Sequence, residues 1–143
     1  MAERASALLR VLGLADAADT LVVDYSHGMK KKVALAAALL HGPRVLFLDE
    51  PFERIDPISA KVMREVLERD VRGGATVVLS SHVMELVEKI CDRVGIIHDG
   101  RLVAAGPMEE VRGGRSLEDA FFHLVGADQA GGEKLEWLGS SSD

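Results

Sequence analysis

The stretch Arg44 to Pro57, R-V-L-F-L-D-E-P-F-E-R-I-D-P, limits most severely what this chain can fold into. Val45, Leu46, Phe47 and Leu48 form a short unbroken apolar run, the pattern of a strand buried on both faces of a parallel sheet. Asp49, Glu50 and Pro51 follow at once, so two carboxylates emerge at the carboxyl end of that strand, where open α/β sheets bind their ligands. Side chains alternate along a strand, so the two point in different directions and can take different tasks. An Asp that holds Mg²⁺ through water and a Glu that polarises an attacking water suit the position. Carboxylates at strand ends also serve as turn residues and helix caps, so the pair alone decides nothing.

The surrounding chain predicts alternating strands and helices. Ser6 to Leu14 reads as a short helix ending at Gly13, with Leu8, Leu9 and Leu12 on one face. Ala15 to Asp24 is connecting chain. Ser26 can cap the next helix, 26–41, in which Val33, Ala36, Ala37 and Leu40 fall at helical spacing and Leu35 and Leu39 add a second apolar face. The central strand takes 44–49. Asp56-Pro57 is an N-cap with proline at the first helical position, and the helix runs to about Arg72 with Ile58, Val62, Met63, Val66 and Leu67 as its buried stripe. A second buried strand is expected at 75–80, followed by Ser81 and His82 and an amphipathic helix from His82 to Cys91 with Val83, Leu86, Val87 and Ile90 inward. Val94 to Ile97 is a third strand, and Asp99-Gly100 turns it into Leu102 to Ala105. Ser116 to Asp119 reads as a capping box for a last helix through about Val125. This order implies an α/β fold with a parallel sheet. The Gly- and Ser-rich residues 126–143 are expected to be disordered.

Composition narrows the class. A length of 143 residues suits one domain, and 48% hydrophobic with 28% charged residues reads as globular. With 17 Lys and Arg against 23 Asp and Glu, the net charge of −6 argues against a nucleic-acid partner. The single cysteine, Cys91, excludes a disulfide framework and is expected to be a packing residue in a reducing compartment. The longest apolar run, Val33 to Leu40, is too short to span a bilayer, and Glu3 and Arg4 precede any apolar stretch. The expectation is a soluble cytosolic protein. His41, His98 and His123 have no neighbours at metal-ligand spacing.

Tyr25-Ser26-His27-Gly28-Met29, the central strand, Ile55-Asp56-Pro57 and Ser80-Ser81-His82 occur in that order at sensible intervals. Together they resemble the second half of the nucleotide-binding domain of an ATP-binding-cassette (ABC) transporter, from about Ser6 to Val125. The resemblance implies a P-loop NTPase-like layered domain, residues 1–125, ending in a β-hairpin and helices. It also implies roles. Ser26 and Gly28 match the signature motif, which contacts the γ-phosphate of ATP held by the opposite subunit. Asp49 matches the Walker B aspartate that orders Mg²⁺, and Glu50 the glutamate that acts as general base. Asp56 matches the aspartate of the loop that communicates across the dimer, and His82 the switch histidine that contacts the γ-phosphate. ATP and Mg²⁺ would be the cofactors. The partners would be a second nucleotide-binding domain and the membrane-spanning permease subunits, which hold the protein at the inner face of the membrane.

Each residue also has a plainer reading. Ser26 and Asp56 are adequate helix caps without further duty, although Gly28 is a poor choice for a helix's first turn. A lone histidine near a helix start is more often structural, and Lys30-Lys31-Lys32 more often a solvated face. The chain also departs from the family pattern. His27 stands for a glycine, Met29 for a glutamine and Arg54 for a small residue, while Lys32 keeps the basic position after the signature.

No G-x-x-x-x-G-K-[ST] occurs in the 143 residues. The loop whose amides and lysine hold the β- and γ-phosphates is therefore not in this sequence, nor are the family's adenine-stacking aromatic and glutamine loop. In the family's sheet the strand feeding that loop lies between the Ser80-His82 strand and the Val94–Ile97 strand. Its absence predicts unpaired edges and exposed apolar faces, as in a truncated product, a misassigned start or a fragment. The leading expectation is the carboxy-terminal half of a transporter ATPase, with exporter-like motifs. The alternatives are a non-catalytic half-domain that lends its signature face to an intact partner, a non-functional product, and a soluble relative from DNA repair or translation.

Overall fold

The structure, a computed structural model, describes residues 1–126. They divide into two compact units, Met1–His82 and a second that begins at Val83. The expected disorder of 126–143 falls, beyond Gly126, outside the described residues. Among those described, no helix is long and apolar enough to cross a membrane.

The first unit runs α1 (Ala2–Val11), two short 3-10 turns (Ala15–Ala17 and Val22–Asp24), α2 (His27–Leu39), β1 (Val45–Asp49), α3 (Pro57–Arg72) and β2 (Thr76–Ser80). α1 starts four residues earlier than the apolar spacing suggested. Leu12 and Leu14, placed on or beside that helix by the sequence, follow it and are the most deeply buried side chains of the unit. Ser26 caps α2 by accepting from Met29 N at 3.2 Å. Asp56 caps α3 by accepting from Ser59 N at 2.8 Å, and Pro57 occupies the first turn, where its missing N–H is no loss.

β1 and β2 pair in parallel, with Val45 opposite Thr76, Phe47 opposite Val78 and Asp49 opposite Ser80. One face of this two-stranded sheet meets a core of Leu12, Leu14, Tyr25, Leu35, Ala36, Leu39, Leu46, Met63, Val66 and Leu67, with Leu48 and Val77 packed against it. The other face is open. Phe47 is 75% exposed, Val45 51% and Val78 44%. The expectation that Val45–Leu48 is buried on both faces is therefore corrected: only the Leu46 side is covered. Ile58, assigned to the buried stripe of α3, is 78% exposed in that helix's first turn, whereas Met63, Val66 and Leu67 are buried.

The second unit contains α4 (Met84–Ile90), β3 (Arg93–His98), β4 (Arg101–Pro107), α5 (Met108–Arg112) and α6 (Leu117–Val125). The third strand does not extend the parallel sheet. It pairs antiparallel with β4, and the ladder slips between Ile96 and Ile97. Asp99 and Gly100 at the hairpin both have positive φ, 48° and 71°, the conformation that the tightest hairpin turns require and that glycine adopts freely. Ile96, Met108 and Leu117 form the core, with Met84, Val87, Cys91 and Phe121 packed against it. Ser116 accepts from Asp119 N at 3.0 Å, which realises the expected cap of α6. Glu88 ties three helices together: its carboxylate accepts from Leu117 N at 2.8 Å and lies 3.1 Å from the Arg112 guanidinium.

Candidate functional site

The carboxyl ends of β1 and β2 carry the polar groups, because parallel register sets Asp49 beside Ser80. Ser80 Oγ donates to Asp49 Oδ1. One residue on, the chain leaves the sheet. Glu50 adopts φ 44°, a left-handed conformation that costs a side-chain-bearing residue on the order of 1–3 kcal/mol and persists only where its surroundings fix it. Here they do. Glu50 N donates to Ser80 O at 3.2 Å and Ser80 Oγ lies 3.1 Å away, while the Glu50 carbonyl accepts from Lys31 Nζ at 2.6 Å and Glu53 N at 3.2 Å. The kink turns the Glu50 carboxylate toward His82, and Oε1 lies 2.9 Å from the ring Nδ1.

His82 lies two residues ahead of α4, in the loop after β2, and not within a helix as the sequence suggested. Its side chain is largely exposed, that of Glu50 less so. The hydrogen bond and charge of Glu50, with a smaller push from Glu53, raise the His82 pKa above its ordinary value. A histidine so placed keeps its proton to higher pH than a free imidazole and, when protonated, forms an ion pair with Glu50.

A second group forms around the start of α2. A Cβ built on Gly28 would lie 3.3 Å from Asp56 Oδ2 and 3.6 Å from Ser59 Oγ. The missing side chain therefore lets the α2 and α3 caps approach, a packing reason for glycine that the sequence did not reveal. Ser59 holds the Asp56 carboxyl below the usual carboxylate range, through its backbone amide first and its hydroxyl second. Ser26 Oγ is engaged in its own helix cap.

The structure thus brings Asp49, Glu50 and His82 together with Ser80, and sets Ser26, Gly28 and Asp56 at facing helix starts. Ser80 was read only as part of the Ser80-Ser81-His82 motif, and the reading of Lys30-Lys31-Lys32 as a solvated face is corrected for Lys31, which is half-buried and bonded to Glu50. A hydroxyl at a strand end is a faint signal, and a lysine that reaches a backbone carbonyl 19 residues away leaves none.

As a metal site the donor set is small. Asp49 with Ser80 Oγ offers one carboxylate and one hydroxyl, and no cluster of three or more His, Cys, Asp or Glu suited to a metal occurs among the described residues. That fits Mg²⁺, which keeps waters and takes phosphate oxygens, and does not fit a cage of protein ligands alone.

Paired carboxylates at the end of a parallel strand, a histidine closing on one of them and two capped helix starts lie at the strand ends, where open α/β sheets bind their ligands. The family model described as ABC transporter matches residues 1–53. A fluoroquinolones export ATP-binding protein of Mycobacterium tuberculosis is 39% identical over 109 residues, which are 76% of this chain and 36% of that protein. A methionine import ATP-binding protein of Pectobacterium atrosepticum is 40% identical over 111 residues, 76% of this chain and 32% of that protein. A solved ATP binding subunit of an ABC transporter superposes with a TM-score of 0.80 at 31% identity, over 86% of this chain and 53% of that one. The chain belongs to the ABC transporter ATP-binding family and corresponds to part of its nucleotide-binding domain. It spans about a third of these two relatives and about half of the solved chain.

Proposed function

We propose that this chain is the signature-and-hydrolysis portion of an ABC transporter's ATP-binding subunit, coupling ATP hydrolysis to transmembrane transport, in the export direction. The observation that carries the reading is the Glu50–His82 contact at 2.9 Å, beside Asp49 at the end of the same strand. Glu50 orients the attacking water and accepts its proton. His82, bonded to Glu50, keeps that carboxylate aimed and offers its other ring nitrogen to the γ-phosphate. Asp49 would hold Mg²⁺, which would supply charge neutralisation on the phosphates. Ser26, Gly28 and Asp56 serve a nucleotide held by a second nucleotide-binding domain, and permease subunits hold the pair at the inner face of the membrane. Residues 1–125 belong to this domain portion. The export direction rests on the likeness to the fluoroquinolones export protein, against which the methionine import protein stands as the counterexample.

The test has two arms. Titration of the chain alone with Mg-ATP gives no micromolar binding, because its sequence carries no phosphate-loop motif. A hybrid in which residues 25–126 replace the matching part of a complete cassette ATPase hydrolyses ATP, and Glu50→Gln lowers its kcat by about 10²-fold or more, the usual range for a general base. Unchanged turnover in the Glu50→Gln hybrid refutes the assignment.

The facing starts of α2 and α3, where Gly28 lies against Asp56, support one second reading, a half-domain that lends only its signature face to an intact partner. In that case Ser26→Arg abolishes the partner's activity while Glu50→Gln leaves it intact.

A further inference from the structure

Lys30, Lys31 and Lys32 look alike in sequence, but they do not share an environment: Lys30 is exposed, and Lys31 is half-buried with its ammonium 2.6 Å from the Glu50 carbonyl. Glu50 is a non-glycine residue at φ 44°, held at its amide by the end of β2 and at its carbonyl by Lys31 and the Glu53 amide. Of these holds, only Lys31 reaches over from a helix, α2, and only it carries a charge that strengthens the bond. A left-handed residue relaxes when a restraint is lost, and relaxation about the Glu50 backbone swings its carboxylate away from the His82 ring.

We infer that Lys31 is a positioning residue: from α2 it pins the peptide that follows Glu50, and so aims the Glu50 carboxylate at His82. It touches no reacting atom in this role. The inference deepens the reading of Glu50 and His82 as the hydrolytic pair and rests on it for its relevance to turnover. It also gives α2, whose first turn holds Ser26 and Gly28, a physical line to the carboxylate at the end of β1.

The test needs no nucleotide, so it can fail or succeed independently of the ATPase reading. The His82 ring protons are followed by NMR against pH in the 143-residue chain, in Lys31→Met and in Lys31→Arg, with His82→Gln for assignment. The acidic groups that act on the ring are Glu50 and Glu53. If Lys31 aims Glu50, Lys31→Met lowers the His82 pKa toward its ordinary 6.5, and Lys31→Arg, which keeps a charged donor, retains the wild-type titration. If Lys31 is only a nearby positive charge, its removal relieves repulsion and the His82 pKa rises. A rise, or no change, overturns the inference. Should Lys31→Met fail to give a folded spectrum, Lys31→Gln is read by the same rule, the sign of the shift deciding.

Discussion

Two neighbouring residues of β1, both large and apolar, should respond to very different degrees to the same truncation. Leu46 is 6% exposed and belongs to the core beneath the sheet, whereas Phe47 is 75% exposed on the open face. Truncating a buried leucine to alanine costs about 2–5 kcal/mol, the lost transfer energy plus the cavity. A fully buried phenylalanine would cost about 3–5 kcal/mol, so one with only a quarter of its surface covered should cost about 1 kcal/mol or less. Leu46→Ala should therefore destabilise the first unit at least twice as much as Phe47→Ala, and Phe47→Ala should improve solubility by shrinking an exposed apolar patch. Urea unfolding followed through methyl resonances of Leu35 and Leu67 reads the first unit alone, and sedimentation velocity keeps the comparison at concentrations where the chain is monomeric. Equal losses for the two variants in a monomer would mean that the Phe47 face is covered, and the description of a one-sided sheet would fall.

Two pH-dependent outcomes follow from the caps and the ion pair. His82 has its pKa raised in the folded state, so its pairing with Glu50 contributes stability that is fully present below the unfolded value and lost as pH rises through the folded one. Thermal unfolding of His82→Gln at pH 5.5 and 8.5 should show a smaller difference than wild type, and an identical difference would contradict the pairing. Asp56 has its pKa lowered, so its contribution is present above its unfolded value of about 3.8 and lost as pH falls through the folded one. Asp56→Asn keeps an acceptor for Ser59 N but cannot titrate, and should flatten the acid limb of the stability profile; a limb of unchanged steepness would count against the cap.

What the sequence made legible were signals that are local and chemically specific. Ser26, Asp56-Pro57 and Ser116 mark helix starts because their side chains answer amides three residues away. Asp99-Gly100 marks a hairpin because both residues tolerate positive φ. The Asp49, Glu50 and His82 grouping was anticipated from the ordered motifs, and the parallel β1–β2 ladder delivers it by ending both strands together. What escaped depends on who the neighbours are. Ile58 fits the helical stripe but sits on the first turn of α3, where the core does not reach it. The apolar run of β1 promised two covered faces, although a run of hydrophobic residues states only that covering would be favourable. β3, by contrast, was legible: it pairs with β4 through the Asp99-Gly100 hairpin and is not hydrogen-bonded to β1 or β2, as expected where the strand that lies between them in the family's sheet is not in the sequence. Lys31 was hidden because a backbone carbonyl accepts a hydrogen bond whatever residue it belongs to.

His82 closes the first of the two compact units, so every group assigned here to nucleotide chemistry, from Ser26 to His82, is encoded before the second unit begins. The hairpin and short helices from Val83 onward keep a separate core and their own Glu88 anchor. Substitutions in the Ile96, Met108 and Leu117 core fall outside the residues, Ser26 to His82, on which the proposed function rests.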